Sequence, residues 1–227
     1  MHSRTLFAAV FFLLPLPARP APAPKNLQIL PKTITSAELQ ATMEGFTRQL
    51  GVKCVFCHVP DQYEKDDRPH KAEARRMIRL VLDLKVKKAE FFSKGTEDAT
   101  LNCGLCHQGA AEPEPFAASL FGGFAFLPGF NPGGDLRNLQ VLPKGTAAEE
   151  VKRTMNSFTG QLGVKCEFCH ADNPAADSKP AKATARRMMR LVAALKAKRI
   201  SYFGPRAQES LISCGLCHRG ATATRRL

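Results

Sequence analysis

The sequence lacks any apolar run of the roughly 20 residues that a membrane-spanning helix needs, so no ordinary spanning helix is expected. It has no Trp and only two Tyr in 227 residues. No aromatic-interleaved basic stretch of the single-strand or RNA-binding kind occurs, so nucleic acid is not an expected partner, despite a formal net charge of +13. Hydrophobic residues make up 44% and charged residues 23%, with 16 Gly and 16 Pro, which excludes collagen-like repetition and wholesale disorder. Histidine is scarce at six, and no cysteine stands alone: the eight Cys all fall in pairs. A chain of this length makes one large domain or two small ones, and small domains have thin cores that need a staple.

The N-terminus reads as an export signal. A short basic start, His2-Ser3-Arg4, precedes an apolar run of nine, Leu6 to Leu14, which is the length of a signal h-region. An Ala/Pro-rich stretch, Ala18 to Pro24, follows. Residues 1–24 are set apart on this ground, and the rest is expected to be exported to the periplasm, soluble or peripherally membrane-associated. No Cys lies in this stretch, so a lipid-attached N-terminal Cys is not expected.

The chain repeats itself. Asn26-Leu27-Gln28 returns as Asn138-Leu139-Gln140, and Leu50-Gly51-Val52-Lys53-Cys54 as Leu162-Gly163-Val164-Lys165-Cys166, both shifted by 112. Ala74-Arg75-Arg76-Met77 returns as Ala185-Arg186-Arg187-Met188, and Cys103-Gly104-Leu105-Cys106-His107 as Cys214-Gly215-Leu216-Cys217-His218, both shifted by 111. Two homologous modules are expected at 25–112 and 136–227, joined by a Pro/Gly/Phe-rich linker at 113–135. That linker carries Phe116, Phe121, Phe124, Phe126 and Phe130. It reads as a tether packed over the junction, or as an apolar patch for a partner or membrane.

All eight cysteines lie in four copies of Cys-x-x-Cys-His: Cys54/Cys57/His58, Cys103/Cys106/His107, Cys166/Cys169/His170 and Cys214/Cys217/His218. This is the attachment pattern of c-type haem. The two thiols add to the porphyrin vinyl groups, and the adjacent His becomes an axial ligand of the iron. A lone copy would also suit a dithiol redox site or half a zinc site; four copies that consume every Cys point to four covalent haems. Each module is expected to hold two.

The opposite axial positions point to methionine. Outside the motifs only His2 and His70 remain, so histidine cannot serve four irons. Met43 and Met155 each precede a motif by eleven residues, on helical patterns Leu39/Met43/Phe46/Leu50 and Val151/Met155/Phe158/Leu162. Thr35-x-x-Glu38 and Thr146-x-x-Glu149 read as capping boxes, and Gly51 and Gly163 as helix ends. A second helix per module, from near Lys71 and Ala181, carries Met77 and Met188, with Met189 as the rival of Met188. Such methionines are otherwise ordinary core filler; here four recur in register with four haems. His70, which Ala181 replaces in the second repeat, reads as a loop residue or as a stray ligand.

Two modules of helix–Met–Cys-x-x-Cys-His, then helix–Met–Cys-x-x-Cys-His, resemble the tetrahaem cytochrome c subunit of photosynthetic reaction centres. Leu-Gly-Val-x-Cys-x-x-Cys-His and the closing Cys-x-x-Cys-His-x-Gly (Gly109, Gly220) are the nearest local matches, over about 26–112 and 138–221. The resemblance implies a mostly α fold with pseudo-twofold symmetry, and haems in a row. It also implies electron delivery to an oxidised pigment or other acceptor, with Met43, Met77 and Met155 in the family's methionine-ligand positions. No His lies between Met77 and Cys103, where some members supply a His ligand.

The expected function is an electron relay between a redox donor and acceptor, with no catalytic residues. The alternative is a multihaem enzyme, a peroxidase or oxyanion reductase, with one open haem. The arginines 75, 76, 79, 186, 187 and 190 read as haem-propionate partners or as solvated helix faces. The remaining positive field suits an acidic redox partner or an anionic membrane surface.

Overall fold

The computed structural model describes residues 23–113 and 136–222. Nearly all of the expected export segment, and the linker with its five Phe, fall outside these. Eight helices occur among the described residues: α1 (Ser36–Leu50), α2 (Pro69–Val86), α3 (Lys88–Phe91), α4 (Gly104–His107), α5 (Ala148–Leu162), α6 (Pro180–Ala197), α7 (Arg199–Phe203) and α8 (Cys214–His218). The described residues form no sheet; Val59 and Gln62 make one isolated bridge. The second four helices repeat the first four in order and length, to within a residue, so the duplication read in the sequence is a duplication of structure.

Local chemistry sets the boundaries. Thr35 and Glu38 close a reciprocal capping box at the start of α1. The matching box in the second repeat does not form. Ala147 sits at the N-cap of α5, and Thr146 bonds to the Pro143 carbonyl instead. The offset of one residue between the repeats moves the threonine out of the cap. Pro69 and Pro180 occupy the first turns of α2 and α6, which therefore begin slightly before Lys71 and Ala181. Gly51 (φ 63°) and Gly163 (φ 61°) end α1 and α5 in the left-handed conformation, as expected.

Packing follows a crossed pattern. Within each repeat, α1 meets α4 and α5 meets α8; between repeats, α2 meets α7, α6 meets α3, and α4 meets α8. Each repeat thus lends its long helix to the other's short one, around a junction of α4 and α8. Tyr202 is buried at this interface, where its hydroxyl donates to Asp83 of α2. Lys198 stands 3.7 Å from the same carboxylate.

The protein core is thin. Among the described residues the buried apolar side chains are Leu80, Phe91, Leu101, Val151, Tyr202 and Ile212. Helix α1 buries none of its fifteen residues, although Leu39, Met43, Phe46 and Leu50 line one face. An amphipathic helix is normally held by burying such a face. These chains leave room for something other than protein between their helices.

Candidate functional site

Each Cys-x-x-Cys-His segment is a single helical turn. In the first repeat His58 N–H donates to the Cys54 carbonyl at 3.0 Å, and His107 N–H to the Cys103 carbonyl at 3.0 Å. His170 N–H donates to the Cys166 carbonyl at 3.0 Å, and Cys214–His218 is helix α8. Residues i, i+3 and i+4 of a turn share a face, so both thiols and the imidazole project to one side.

The four histidines are held alike. Nδ1–H donates to a backbone carbonyl in every case: His58 to Tyr63 (3.0 Å), His107 to Ala110 (3.0 Å), His170 to Pro174 (3.2 Å) and His218 to Ala221 (3.0 Å). A carbonyl can only accept, so the proton is on Nδ1 and the Nε2 lone pair is free. Burial holds all four below the usual histidine value and keeps them neutral. The charges of Lys71 and Arg75 push His58 the same way, and Lys182 and Arg186 do so at His170. A neutral imidazole with Nδ1 tied to a carbonyl is an oriented metal ligand.

The thiols are not activated. Burial raises Cys57, Cys103, Cys169 and Cys214. Contact with the Cys106 thiol, and burial, raise Cys217 further. A dithiol redox site needs the opposite shift. All eight cysteines are unbridged, and no three His, Cys, Asp or Glu side chains converge on a common point among the described residues.

A cavity of about 360 Å³ separates the two motifs of the second repeat. Cys166, Cys169, His170, Cys214 and His218 line it, together with Met155, Met188 and Met189. Its other walls, such as Val151, Phe158 and Leu162, are largely apolar. In the first repeat Met43 lies on α1 and Met77 on α2, both half-buried. A flat apolar macrocycle fits this arrangement, and two acidic groups on it would meet cations. Buried guanidinium nitrogens of Arg76, Arg187 and Arg219 have no partner. Arg75 and Arg186 are taken: they bind Asp66 at 3.0 Å and Asp177 at 2.8 Å. Arg79 and Arg190 face solvent. The six arginines therefore divide by register into a salt-bridged pair, a pair whose buried Nε has no partner (Arg187 still donates from its terminal nitrogen to Thr184 at 3.1 Å), and an exposed pair. His70 is stacked on Phe56 (centroids 4.1 Å apart), with Nδ1 3.1 Å from Glu73.

Several residues not singled out by sequence reasoning build this site. Gln49 accepts the Gly109 N–H on its carbonyl (3.0 Å) and the Gly104 N–H on its side chain (3.3 Å), so one residue straddles a motif. Gln161 does the same to Gly220 (2.9 Å) and Gly215 (2.8 Å). Asp66 collects Asn26, Gln28, Lys71 and Arg75, and Asp177 collects Asn138, Gln140, Lys182 and Arg186. Every one of these recurs at the repeat offset, which was the available signal. Arg219 does not: Gln108 stands in its place, and donates across the repeats to the Cys217 carbonyl at 2.9 Å.

The chain matches the family described as "Photosynthetic reaction centre cytochrome C subunit" over residues 19–119 and 131–226. It is 26% identical to the photosynthetic reaction center cytochrome c subunit of Thermochromatium tepidum over 90% of this chain and 62% of that one. Against the subunit of the same name from Rubrivivax gelatinosus it is 24% identical, over 87% of this chain and 66% of that one. A shorter match, 36% identical, covers 37% of this chain and 20% of cytochrome c-554 from Chloroflexus aurantiacus. The chain thus spans between a fifth and two thirds of the length of these relatives. Among the described residues no helix is long and apolar enough to cross a membrane.

Proposed function

The chain belongs to the photosynthetic reaction centre cytochrome C subunit family, and from that premise we propose that it is an exported, periplasmic tetrahaem cytochrome that relays electrons between redox partners. The observation that carries this reading is the common placement of His58, His107, His170 and His218: each donates Nδ1–H to a backbone carbonyl, which leaves Nε2 as the nitrogen for a metal.

Bound at the four motifs, haem would supply one-electron exchange at iron, at potentials that Met/His ligation raises. Cys54/Cys57, Cys103/Cys106, Cys166/Cys169 and Cys214/Cys217 would anchor it covalently through thioethers. His58, His107, His170 and His218, together with Met43, Met77, Met155 and Met188, would supply the protein ligands to the four irons. Arg76, Arg187 and Arg219 offer their unpartnered nitrogens to propionates. Irons held by a histidine and a methionine each would leave no open site for a substrate, which favours a carrier over an enzyme.

Each repeat is a two-haem module. Contact between Cys106 and Cys217 supports a central pair at the second and fourth motifs. The shared cavity of the third and fourth motifs supports one flanking site there, and the duplication another beside the second. The order along the row is then first, second, fourth, third. A reaction centre, or another membrane electron-transfer complex, is the acceptor this assignment favours; the net charge of +13 suits an acidic partner or an anionic membrane surface.

The test is haem content and a quantitative ferric spectrum on one sample. Four covalent haems, a red methionine–iron charge-transfer band of fourfold intensity, and no carbon monoxide binding by reduced protein support the relay. Fewer than four haems overturns it, and carbon monoxide binding to one haem makes that haem an enzymatic site.

A further inference from the structure

Two lysines lie deep in the site. Lys71 is 9% exposed and Lys182 is 8% exposed, and each spends all three ammonium protons. Lys71 donates to the carbonyls of Tyr63 (2.8 Å) and Lys65 (2.6 Å), and to Asp66 at 3.0 Å. Lys182 donates to the carbonyls of Pro174 (2.8 Å) and Ala176 (2.8 Å), and to Asp177 at 3.1 Å. Tyr63 and Pro174 are the residues whose carbonyls accept Nδ1–H from His58 and His170. The first motif of each repeat therefore has a histidine and a buried lysine sharing one oxygen. The residue bearing that oxygen differs between repeats, while the lysine and aspartate do not.

We propose that Lys71 and Lys182 are positioning residues that raise the reduction potential of the iron held by His58 and by His170, through the carbonyl each shares with its histidine. The inference rests on the haem reading above. A carbonyl oxygen has two lone pairs, and an ammonium on one weakens its pull on the imidazole proton at the other. The imidazole is then a poorer electron donor to the metal, since outer partners set ligand basicity. The buried cation also opposes the extra charge of ferric iron, with little screening. Both effects favour the reduced state. Asp66 offsets one of the two cations it binds, Lys71 and Arg75, so the cluster keeps one net positive charge. His107 and His218 donate to Ala110 and Ala221, and neither lysine has a proton left for those carbonyls.

The test is a redox titration of full-length holoprotein, each haem followed by its own NMR signals. Lys71→Met is expected to shift the oxidised-to-reduced ratio at the His58 site about three- to tenfold toward oxidised, a fall of ~30 to ~59 mV for a one-electron couple. Lys71→Arg restores it. Asp66→Asn keeps the shape, removes the negative charge and moves the same site the opposite way. A purely structural role would shift both variants alike, and that result overturns the proposal. If Lys71→Met gives no holoprotein, Asp66→Asn decides alone: a rise supports the proposal and a fall overturns it. Four haems with an unmoved His58 site overturn only the lysine assignment; no haem at Cys54 and Cys57 overturns the reading beneath it.

Discussion

Gly51 and Gly109 approach so closely that a β-carbon on Gly51 would stand 2.1 Å from the Gly109 carbonyl oxygen. Gly163 and Gly220 repeat the relationship at the same 2.1 Å. The end of the first helix is thus pressed onto the turn that follows the second motif's histidine. The adjoining Gln49 and Gln161 clamp that turn by hydrogen bonds. The contact fixes the two Cys-x-x-Cys-His motifs of one repeat relative to each other, and it requires glycine for space and for a positive φ.

Gly51→Ala is therefore expected to destabilise the holoprotein by about 2–4 kcal/mol, from left-handed backbone strain plus overpacking against a carbonyl. Chemical denaturation of the variant with its haem content verified checks this. Gly95 offers a control, because its φ of 86° is also left-handed but nothing lies within 4 Å of an added β-carbon. Gly95→Ala should cost only the strain.

The duplication, the four motifs and the helix ends at Gly51 and Gly163 were legible because each is a local pattern. The capping box of Thr35 and Glu38 was legible for the same reason, and Thr146 misled because a shift of one residue defeats a cap. The latches of Asp66 and Asp177 were not legible. They join residues some forty positions apart, Asn26 to Asp66 and Asn138 to Asp177, through side chains ordinary at the surface. They also account for the recurrence of Asn-Leu-Gln, which the sequence displayed without a reason. The division of the arginines was hidden similarly, since which cation meets a carboxylate depends on the tertiary path of a distant loop.

Arg219 breaks the symmetry of the two repeats at their junction. It follows His218 in the left-handed conformation (φ 47°), and Gln108 takes the same conformation (φ 49°) in the first repeat. Its charge acts on His107 of the other repeat. Arg219→Gln installs the residue that the first repeat already tolerates there. The expected outcome is a lower potential at the haem proposed for His107, by redox titration, with haem content unchanged. Arg190→Gln, on an exposed face, should leave all four potentials unchanged.

Acid should open the latches. Lys182, then Asn138 and Arg186, hold the Asp177 carboxyl down at about 2, and Arg75 and Lys71 hold Asp66 well below the usual carboxylate range. In the unfolded chain these groups titrate near about 3.9. Between that value and about 2 the unfolded state binds more protons, so stability is present above the window and is lost as pH falls through it. The unfolding midpoint of wild type is expected to decline across this range. Asp177→Asn should start lower and decline less, and an unchanged slope would remove Asp177 as a source.

Met188 and Met189 both line the cavity between the third and fourth motifs, so the wall alone does not choose between them. The repeat does: Met188 matches Met77, while Met189 stands where the first repeat has Ile78. Met189→Ile should therefore leave the charge-transfer band whole and all haems closed to carbon monoxide, because Ile fills a similar volume. Met188→Ala should remove about a quarter of the band, lower one potential and open one reduced haem to carbon monoxide, since Met ligation favours the reduced state. The reverse pattern would assign the sulfur to Met189 and move the iron-facing side of α6 by one residue from the register that the first repeat keeps.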